Sequence, residues 1–283
     1  MPPLSACIAQ ATKRLALGPH PERAKLDAET LLITALGKNR AWLLAHGDDE
    51  LPDAAAEHFA EWVERRCSGE PIQYITGEAE FYGLPFRVNC DVLIPRPETE
   101  HLVEKSIELA SGFARPRIVD VGTGSGAIAI ALARKLPNVS VTAVDLCEAA
   151  LGLARENAQR NNVAERIRFL RGDLLAPVAS EQFEIIVSNP PYVAERERDS
   201  LAVEVRDYEP SQALFAGEDG FAIYRRLIPA AYVALVPGGF LLLEIGYGQE
   251  ASVRELLAPA GFTEIAFIAD LQGIPRVASA RRS

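Results

Sequence analysis

The stretch that decides the fold is Arg117–Ala127, which reads RIVDVGTGSGA. It begins as a short run of apolar and β-branched residues, which is typical of a buried strand. Three alternating glycines follow at once, and the helical pattern of residues 127–136 comes directly after them. A strand that turns sharply through glycine into a helix indicates the first unit of an α/β fold.

Downstream of this unit, strands continue to alternate with helices. Apolar runs predict six further strands, at residues 139–144, 167–170, 183–187, 240–245, 263–269 and 276–280. Helical patterns lie between several of them, at 149–161, 224–235 and 249–257. Because apolar strands joined through helices form a sheet that is covered on both faces, the sequence predicts a mostly parallel, seven-stranded α/β sheet. Ligands bind such a sheet at the carboxyl ends of its strands.

The chain before this sheet has a helical pattern followed by a hairpin pattern. Helical spacing runs through residues 1–77, for example in Leu26–Leu36, where Gly37 follows as a stop signal. In Glu80–Val88, aromatic and β-branched residues lie on both sides of a Gly83–Pro85 turn, which predicts a β-hairpin. We therefore predict three regions: a helical bundle at 1–77, a hairpin linker at 78–95 and the α/β domain at 96–283.

The bulk composition restricts the classes of function. Its 39 acidic and 29 basic residues give a formal net charge of −10, which disfavours broad binding of nucleic acid. The 4 cysteines form no pair with metal-ligand spacing, so neither a metal site nor a disulfide framework is expected. We find neither a secretory N-terminus nor an apolar run long enough to span a bilayer. The expectation is a cytoplasmic protein, which we take to be a monomer.

The glycine loop and two acids predict a site for an adenosine-bearing ligand. The three glycines within Gly122–Gly126 have no Cβ atoms, so a ligand can approach the main chain closely. Asp145 ends the next strand, where it can accept two hydrogen bonds from a ribose diol. Asp173 follows the third strand and can accept from an adenine amino group, although a turn aspartate is an equal alternative. The loop alone also fits a nicotinamide enzyme or a purely structural turn.

The tetrapeptide Asn189–Tyr192, which reads NPPY, follows the fourth strand. Its two prolines fix φ and lack a donor, so the chain leaves the sheet in a rigid, extended form. The side-chain oxygen of Asn189 and the carbonyl of Pro190 are then two acceptors that can hold a planar NH₂ group, and Tyr192 offers it a flat face. Beside a cofactor loop, this pattern favours methyl transfer to an amide-like nitrogen over a simple strand-ending turn. Such a reaction depends on positioning and needs no strong base.

Taken together, these motifs resemble those of the class I methyltransferases that carry an (Asn/Asp)-Pro-Pro-Tyr motif. Within that class they are most similar to the peptide chain release factor N5-glutamine methyltransferases, the HemK/PrmC-like group. The resemblance covers nearly the whole chain and includes Phe81–Phe86, Val92–Glu100, Tyr208–Pro210, Gly238–Gly239 and Glu244–Gly246.

The resemblance implies a Rossmann-like fold, S-adenosyl-L-methionine as methyl donor and S-adenosyl-L-homocysteine as product. It implies that the substrate is the glutamine of the Gly-Gly-Gln loop in class I release factors, and that the helical domain recognises this partner. For Leu174, relatives often have an aromatic residue, so an apolar contact to adenine remains but stacking is lost. The expected cofactor-binding residues are Gly122, Thr123, Gly124, Ser125, Gly126, Asp145, Asp173, Leu174 and Asn189. Substrate binding is expected at Asn189, Pro190, Pro191 and Tyr192, with catalysis at Asn189, Pro190 and Tyr192.

Three alternatives stay open at this point. A sister group methylates a ribosomal protein glutamine, but it tends to have Arg-Ser-Pro where this chain has Arg96–Glu98. An adenine-N6 methyltransferase suits the same tetrapeptide, although the acidic charge and the lack of a Lys/Arg-rich insert speak against it, and we expect no direct nucleic-acid binding. A non-catalytic binding module is the third alternative.

Overall fold

The computed structural model describes residues 2–283, so that Met1, the first residue of the predicted helical domain, lies outside it. The chain forms two compact units. One ends at Gly77 and also includes Leu201–Tyr208, whereas the other consists of Glu78–Ser200 and Glu209–Ser283. This division differs from the predicted domains, which include residues 201–208 in the α/β domain and set residues 78–95 apart as a linker.

The helical unit has a core of its own. Apolar side chains of its first, second and fourth helices are buried together, among them Leu4, Leu31 and Phe59. The second helix ends at Gly37 with a φ of 60°, as predicted. The helices of the unit are α1 (Leu4–Leu15), α2 (Ala24–Leu36), α3 (Arg40–Ala45), α4 (Asp53–Cys67), α5 (Ile72–Thr76) and α9 (Val203–Tyr208).

A buried arginine explains why α9 belongs to this unit. Arg66 of α4 is only 3% exposed, and its Nε donates to Asp27 Oδ2 of α2 at 2.7 Å. Its Nη1 donates to Glu204 Oε2 of α9 at 3.1 Å. A buried guanidinium that lacks acceptors is strongly destabilising, so Arg66 favours the placement of Glu204 beside it. No sequence period connects residues so far apart, which is why the prediction missed this assignment.

The predicted hairpin is present, but its turn lies elsewhere. Strands β1 (Glu78–Phe81) and β2 (Leu84–Arg87) pair in antiparallel fashion, and the turn is Tyr82-Gly83 rather than Gly83–Pro85. Both turn residues are left-handed, with φ of 55° and 70°, and a two-residue turn of this kind matches the twist of the strands. Pro85 can lie within β2 because this two-stranded sheet makes no ladder bond to a further strand.

The second unit contains the predicted seven-stranded sheet, in the order β5-β4-β3-β6-β7-β9-β8. All pairs are parallel except those of β9, which runs antiparallel to both neighbours. The chain proceeds from β3 outward to β5 and then returns to β6 on the other side of β3, so ligands are expected where β3 and β6 end. The strands are β3 (Arg117–Val121), β4 (Ser140–Asp145), β5 (Ile167–Arg171), β6 (Phe183–Ser188), β7 (Leu235–Glu244), β8 (Phe262–Ala269) and β9 (Pro275–Arg282).

Helices cover the two faces of the sheet, and alternate strand residues are buried in two separate cores. Ile118, for example, packs with the core that contains helices α6 to α8, and Val119 packs with that of α11 and α12. No helix within residues 2–283 is both long and apolar enough to cross a membrane. The helices are α6 (Glu100–Ala110), α7 (Ala127–Lys135), α8 (Glu148–Arg160), α10 (Ser211–Leu214), α11 (Ala222–Ala234) and α12 (Glu250–Leu257), with 3₁₀ turns at Pro21–Arg23, Pro97–Thr99, Ala164–Arg166, Ala176–Val178 and Glu195–Ser200.

One buried amide connects the hairpin to the glycine loop. The side chain of Asn157 on α8 is fully buried, and its Oδ1 accepts from the backbone N–H of Arg87 at 2.7 Å. Its Nδ2 donates to the carbonyls of Arg87 at 3.0 Å and Ser125 at 2.9 Å. An alanine here would leave backbone groups without partners in a site that water does not reach.

We therefore expect Asn157→Ala to lower the free energy of unfolding by about 3 kcal/mol, since each unpaired buried polar group costs roughly 1–3 kcal/mol. Urea denaturation followed by circular dichroism measures this loss. Gln159→Ala on the exposed side of the same helix is the matched control and should change stability by no more than about 0.5 kcal/mol. Equal effects of the two substitutions would contradict the bridging role of Asn157.

Candidate active site

The glycine loop connects β3 to α7 and lines a cavity of the α/β unit. Gly124 has a φ of 53°, and a Cβ added there would meet no atom within 4 Å. At Gly126 the added Cβ would lie 3.0 Å from Ile130 Cδ1 and 3.1 Å from Ala154 Cβ. The two positions need glycine for different reasons: Gly126 lets α7 begin close to α8, and Gly124 leaves bare backbone facing open space.

Asp145 ends β4 beside this loop and lines the same cavity. Its Oδ2 accepts from the backbone N–H of Gly124 at 2.8 Å, and its Oδ1 accepts from that of Cys147 at 2.9 Å. An ionised carboxylate has about four acceptor positions, so each oxygen can still receive one further bond. The acid that was predicted to bind ribose is therefore held rigidly and retains the capacity to do so.

A second acid, Asp120, accepts hydrogen bonds from the glycine loop and from α7, and the sequence analysis did not assign it to the site. Asp120 is fully buried at the end of β3, and its Oδ2 accepts from Thr123 Oγ1 at 2.6 Å and from the N–H of Ala129 at 3.2 Å. Burial raises the pKa of Asp120 to about 7, although both hydrogen bonds lower it. Its position as a lone acid inside an otherwise apolar strand is the signal by which the sequence could have identified it.

The tetrapeptide begins directly after β6, as predicted. Ser188, the last residue of β6, donates through Oγ to the carbonyl of Val121 at 2.6 Å and so joins the ends of β6 and β3. Asn189 follows, and its Nδ2 donates to Thr99 Oγ1 at 3.2 Å. Because the NH₂ of the Asn189 side chain is engaged in this way, its Oδ1 is the atom that remains to accept from a ligand.

Tyr192 lies differently from the other three residues of the motif. Asn189, Pro190 and Pro191 line the cavity with the glycine loop, whereas Tyr192 packs against the α11–α12 core. Its hydroxyl is 3.5 Å from Glu244 Oε1, and burial, with the charge of Glu244, raises the pKa of this phenol. The ring of Tyr192 packs against core side chains. Its predicted role in stacking on the substrate stays a prediction.

The adenine end of the predicted site lies at the rim of the cavity. Asp173 is exposed there and is ion-paired with Arg226, which takes one of its carboxylate oxygens. Leu174 follows with a φ of 50°, and Leu146, which is 59% exposed, contributes a further apolar side chain to the lining. The sequence analysis missed Leu146, although its position directly after the strand-ending acid Asp145 marks it as a neighbour of any bound ribose.

The structure thus gathers nearly all predicted site residues around one cavity. Within residues 2–283, no three His, Cys, Asp or Glu side chains lie where they could hold a metal ion. The lining also includes Thr99 and Arg96, which sequence reasoning did not assign to the site. The predicted residues in the lining are Gly122, Thr123, Gly124, Ser125, Asp145, Asp173, Leu174, Asn189, Pro190 and Pro191.

Comparison with known proteins agrees with this arrangement. The family model for the PrmC N-terminal domain matches residues 6–77, and that for the methyltransferase small domain matches residues 99–206. A T. thermophilus 16S rRNA methyltransferase (RsmC), solved in complex with AdoMet and guanosine, shares the fold. Its TM-score is 0.53 at 20% identity, over 73% of this chain and 50% of that one.

Sequence relatives identify the family more narrowly. The release factor glutamine methyltransferase of Koribacter versatilis is 46% identical over 91% of this chain and 91% of its own. That of Xylella fastidiosa is 40% identical over 99% of this chain and 98% of its own. At these identities and coverages, the chain belongs to the release factor glutamine methyltransferase family.

Proposed function

We propose that this enzyme transfers a methyl group from S-adenosyl-L-methionine to the side-chain amide nitrogen of a glutamine, N5, in class I peptide chain release factors. The glutamine is that of the Gly-Gly-Gln loop. The observation that carries the proposal is the meeting of Asn189–Pro191 with the glycine loop and Asp145 around one cavity. The residues that we propose to hold the amide thus line the same cavity as those that we propose to hold the cofactor, and transfer between two bound groups requires such proximity.

The residues present fit the adenosyl group of the cofactor. Asp145 retains acceptor capacity for the ribose hydroxyls, and Gly124 leaves space where any other residue would place a Cβ. Apolar Leu146 and Leu174 suit the faces of a purine. When bound, S-adenosylmethionine supplies an electrophilic methyl group on a positively charged sulfur.

Asn189 and Pro190 would act on the acceptor. The Oδ1 of Asn189 and the carbonyl of Pro190 accept the two N–H bonds of the glutamine amide, which orients its nitrogen toward the methyl group. As the bond from nitrogen to the methyl group forms, the bond from sulfur to that methyl group breaks and S-adenosyl-L-homocysteine is left, and the nitrogen then releases one proton to solvent. Among residues 2–283, neither histidine nor lysine lines the cavity. The proposed chemistry depends on positioning and fixed dipoles, which do not require a strong general base.

The direct test is the intact mass of a purified class I release factor after incubation with the enzyme and S-adenosylmethionine. We expect the gain of one methyl group, located by fragmentation to the Gly-Gly-Gln glutamine, and no gain when that glutamine is replaced by alanine. Parallel incubations with ribosomal protein and with nucleic acid use methyl-labelled cofactor. Label that enters only one of these, with the release factor unmodified, would refute the proposed substrate.

Removal of the Asn189 amide should abolish most of the turnover. We expect Asn189→Ala to lower kcat about 100-fold or more, the usual loss when one preorganised polar group is removed from a reacting centre. Asn39→Ala is the matched control, since it deletes the same amide from the N-cap of α3 and should cost about 1 kcal/mol of stability without changing kcat. A fully active Asn189→Ala variant would exclude the amide-holding role.

A pair of glycine substitutions tests the cofactor site. Gly124 and Gly37 have similar φ angles, 53° and 60°, and a Cβ at either would meet no atom within 4 Å. Both alanine variants should therefore lose about 1–2 kcal/mol of stability through left-handed strain. Only Gly124→Ala should weaken S-adenosylhomocysteine, by about tenfold or more in Kd by calorimetry, because its methyl group would enter the ligand space. Equal Kd values for the two variants would contradict the placement of the cofactor beside Gly124.

A further inference from the structure

Two residues outside the predicted site form a hydrogen-bonded chain that ends on Asn189. Thr99, in the turn before α6, donates through Oγ1 to Glu244 Oε2 at 2.6 Å. The same oxygen of Thr99 accepts from Asn189 Nδ2 at 3.2 Å. Thr99 is 4% exposed and Glu244 is 2% exposed, so neither bond competes freely with water. Three separate elements, the Pro97–Thr99 turn, the end of β7 and the residue after β6, thus meet at one hydroxyl.

The chemistry of these groups fixes the direction of every bond in the chain. An ionised carboxylate only accepts, so the single proton of the Thr99 hydroxyl must point to Glu244. The lone pairs of that hydroxyl can then only accept, and the group they accept from must be the NH₂ of Asn189. The amide oxygen of Asn189 is consequently directed away from Thr99. Without the carboxylate, the hydroxyl could donate to that oxygen instead, and both amide orientations would be allowed.

We propose that Thr99 and Glu244 are positioning residues, which together hold the Asn189 amide with its oxygen presented to the glutamine NH₂. The inference rests on the proposed function and deepens it. Thr99 and Glu244 act through Asn189, and neither is required to touch the reacting atoms. They lie 145 residues apart in sequence, which explains why no local motif reveals them.

The surroundings of Glu244 make the hydrogen-bonded chain from Glu244 through Thr99 to Asn189 sensitive to pH. Burial raises the pKa of its carboxyl to about 7, and the nearby charge of Glu98 raises it as well. The hydrogen bonds from Thr99 and Asn189 and the charge of Arg276 lower it. Below this pKa the carboxyl carries a proton and becomes a donor itself, so it no longer dictates the direction of the Thr99 hydroxyl.

Two phenols also face this carboxylate region. The hydroxyl of Tyr192 is 3.5 Å from Glu244 Oε1, and that of Tyr224 donates to the Glu244 backbone carbonyl at 2.8 Å. Burial raises the pKa of both phenols, and the charge of Glu244 raises it further. Both therefore stay protonated near neutrality and remain donors. The group whose charge changes around pH 7 in this cluster is Glu244.

Two substitutions at Thr99 distinguish the effect of its hydroxyl group from the effect of its side-chain volume. Thr99→Val preserves the volume but removes the donor and acceptor, and kcat should fall about 10- to 100-fold, the equivalent of a hydrogen bond to a charged group. Thr99→Ser restores the hydroxyl and should recover most of that loss. The Kd of S-adenosylhomocysteine should change much less than kcat in both variants, since the glycine loop and Asp145 are untouched. A fully active Thr99→Val variant, or a Thr99→Ser variant as slow as Thr99→Val, would overturn the proposal.

The pH profile gives an independent test that also uses the unmodified enzyme. Wild-type kcat should decline as the pH falls through about 7 and Glu244 is protonated. In Glu244→Gln this decline should be absent, because the carboxamide does not titrate. A flat wild-type profile between about pH 6 and 8, or a decline that persists in Glu244→Gln and so arises from another acid such as Asp120, would refute the role of Glu244.

These outcomes differ from a failure of the proposed function. A wild-type enzyme that leaves the release factor unmodified refutes the substrate assignment and the inference with it. A wild-type enzyme that methylates the release factor, together with fully active Thr99→Val and Glu244→Gln variants, refutes only the positioning role.

Discussion

One short segment beside the active-site cavity, residues 96–100, is hydrogen-bonded to three other parts of the α/β unit. Three of its side chains make hydrogen bonds, and each bond reaches a different part of the α/β unit. Two of these side chains, Arg96 and Thr99, also line the cavity, so their bonds fix part of its lining. Arg96 donates to Glu209 at 2.6 Å, Thr99 donates to Glu244 at 2.6 Å, and Glu100 accepts from the N–H of Tyr82 at 2.8 Å.

Two buried acids, one in β3 and one in β7, each accept a hydrogen bond from a threonine hydroxyl that lines the cavity. Asp120 at the end of β3 receives the hydroxyl of Thr123, and Glu244 at the end of β7 receives that of Thr99. Burial raises the pKa of each acid to about 7, which shows that the fold bears a cost for keeping them. An ionised carboxylate can only accept hydrogen bonds, so the threonine hydroxyl bound to it must donate and has one orientation. The site is preorganised by such forced directions as well as by packing.

The fold could be predicted from the sequence because its signals are local. The strand-to-helix turn at Arg117–Ala127, the alternation of strands and helices and the proline pair after β6 each appear within a few residues. The predicted seven-stranded, mostly parallel sheet is confirmed, and most of the predicted site residues do lie around one cavity. Local signals suffice there because neighbouring parallel strands bring their carboxyl ends to one edge.

What could not be predicted depends on partners distant in sequence. Thr99 and Glu244, and also Asn157 with its bonds to Arg87 and Ser125, carry no pattern that links them before the chain is folded. The sequence predicts the hairpin turn at Gly83–Pro85 rather than at Tyr82-Gly83, because a left-handed tyrosine is uncommon. Residues 201–208, which the sequence analysis includes in the α/β domain, belong to the helical unit, where Glu204 accepts from the buried Arg66.

The path of the main chain has a consequence for how the protein can be divided. The polypeptide passes between the two compact units at residues 77–78, 200–201 and 208–209, so the helical unit is discontinuous. No single cleavage separates them into complete halves: a fragment ending at Gly77 would lack the carboxylate of Glu204 for Arg66, and the remainder would keep a stray helix. A helical unit produced on its own would therefore have to include an octapeptide equivalent to residues 201–208.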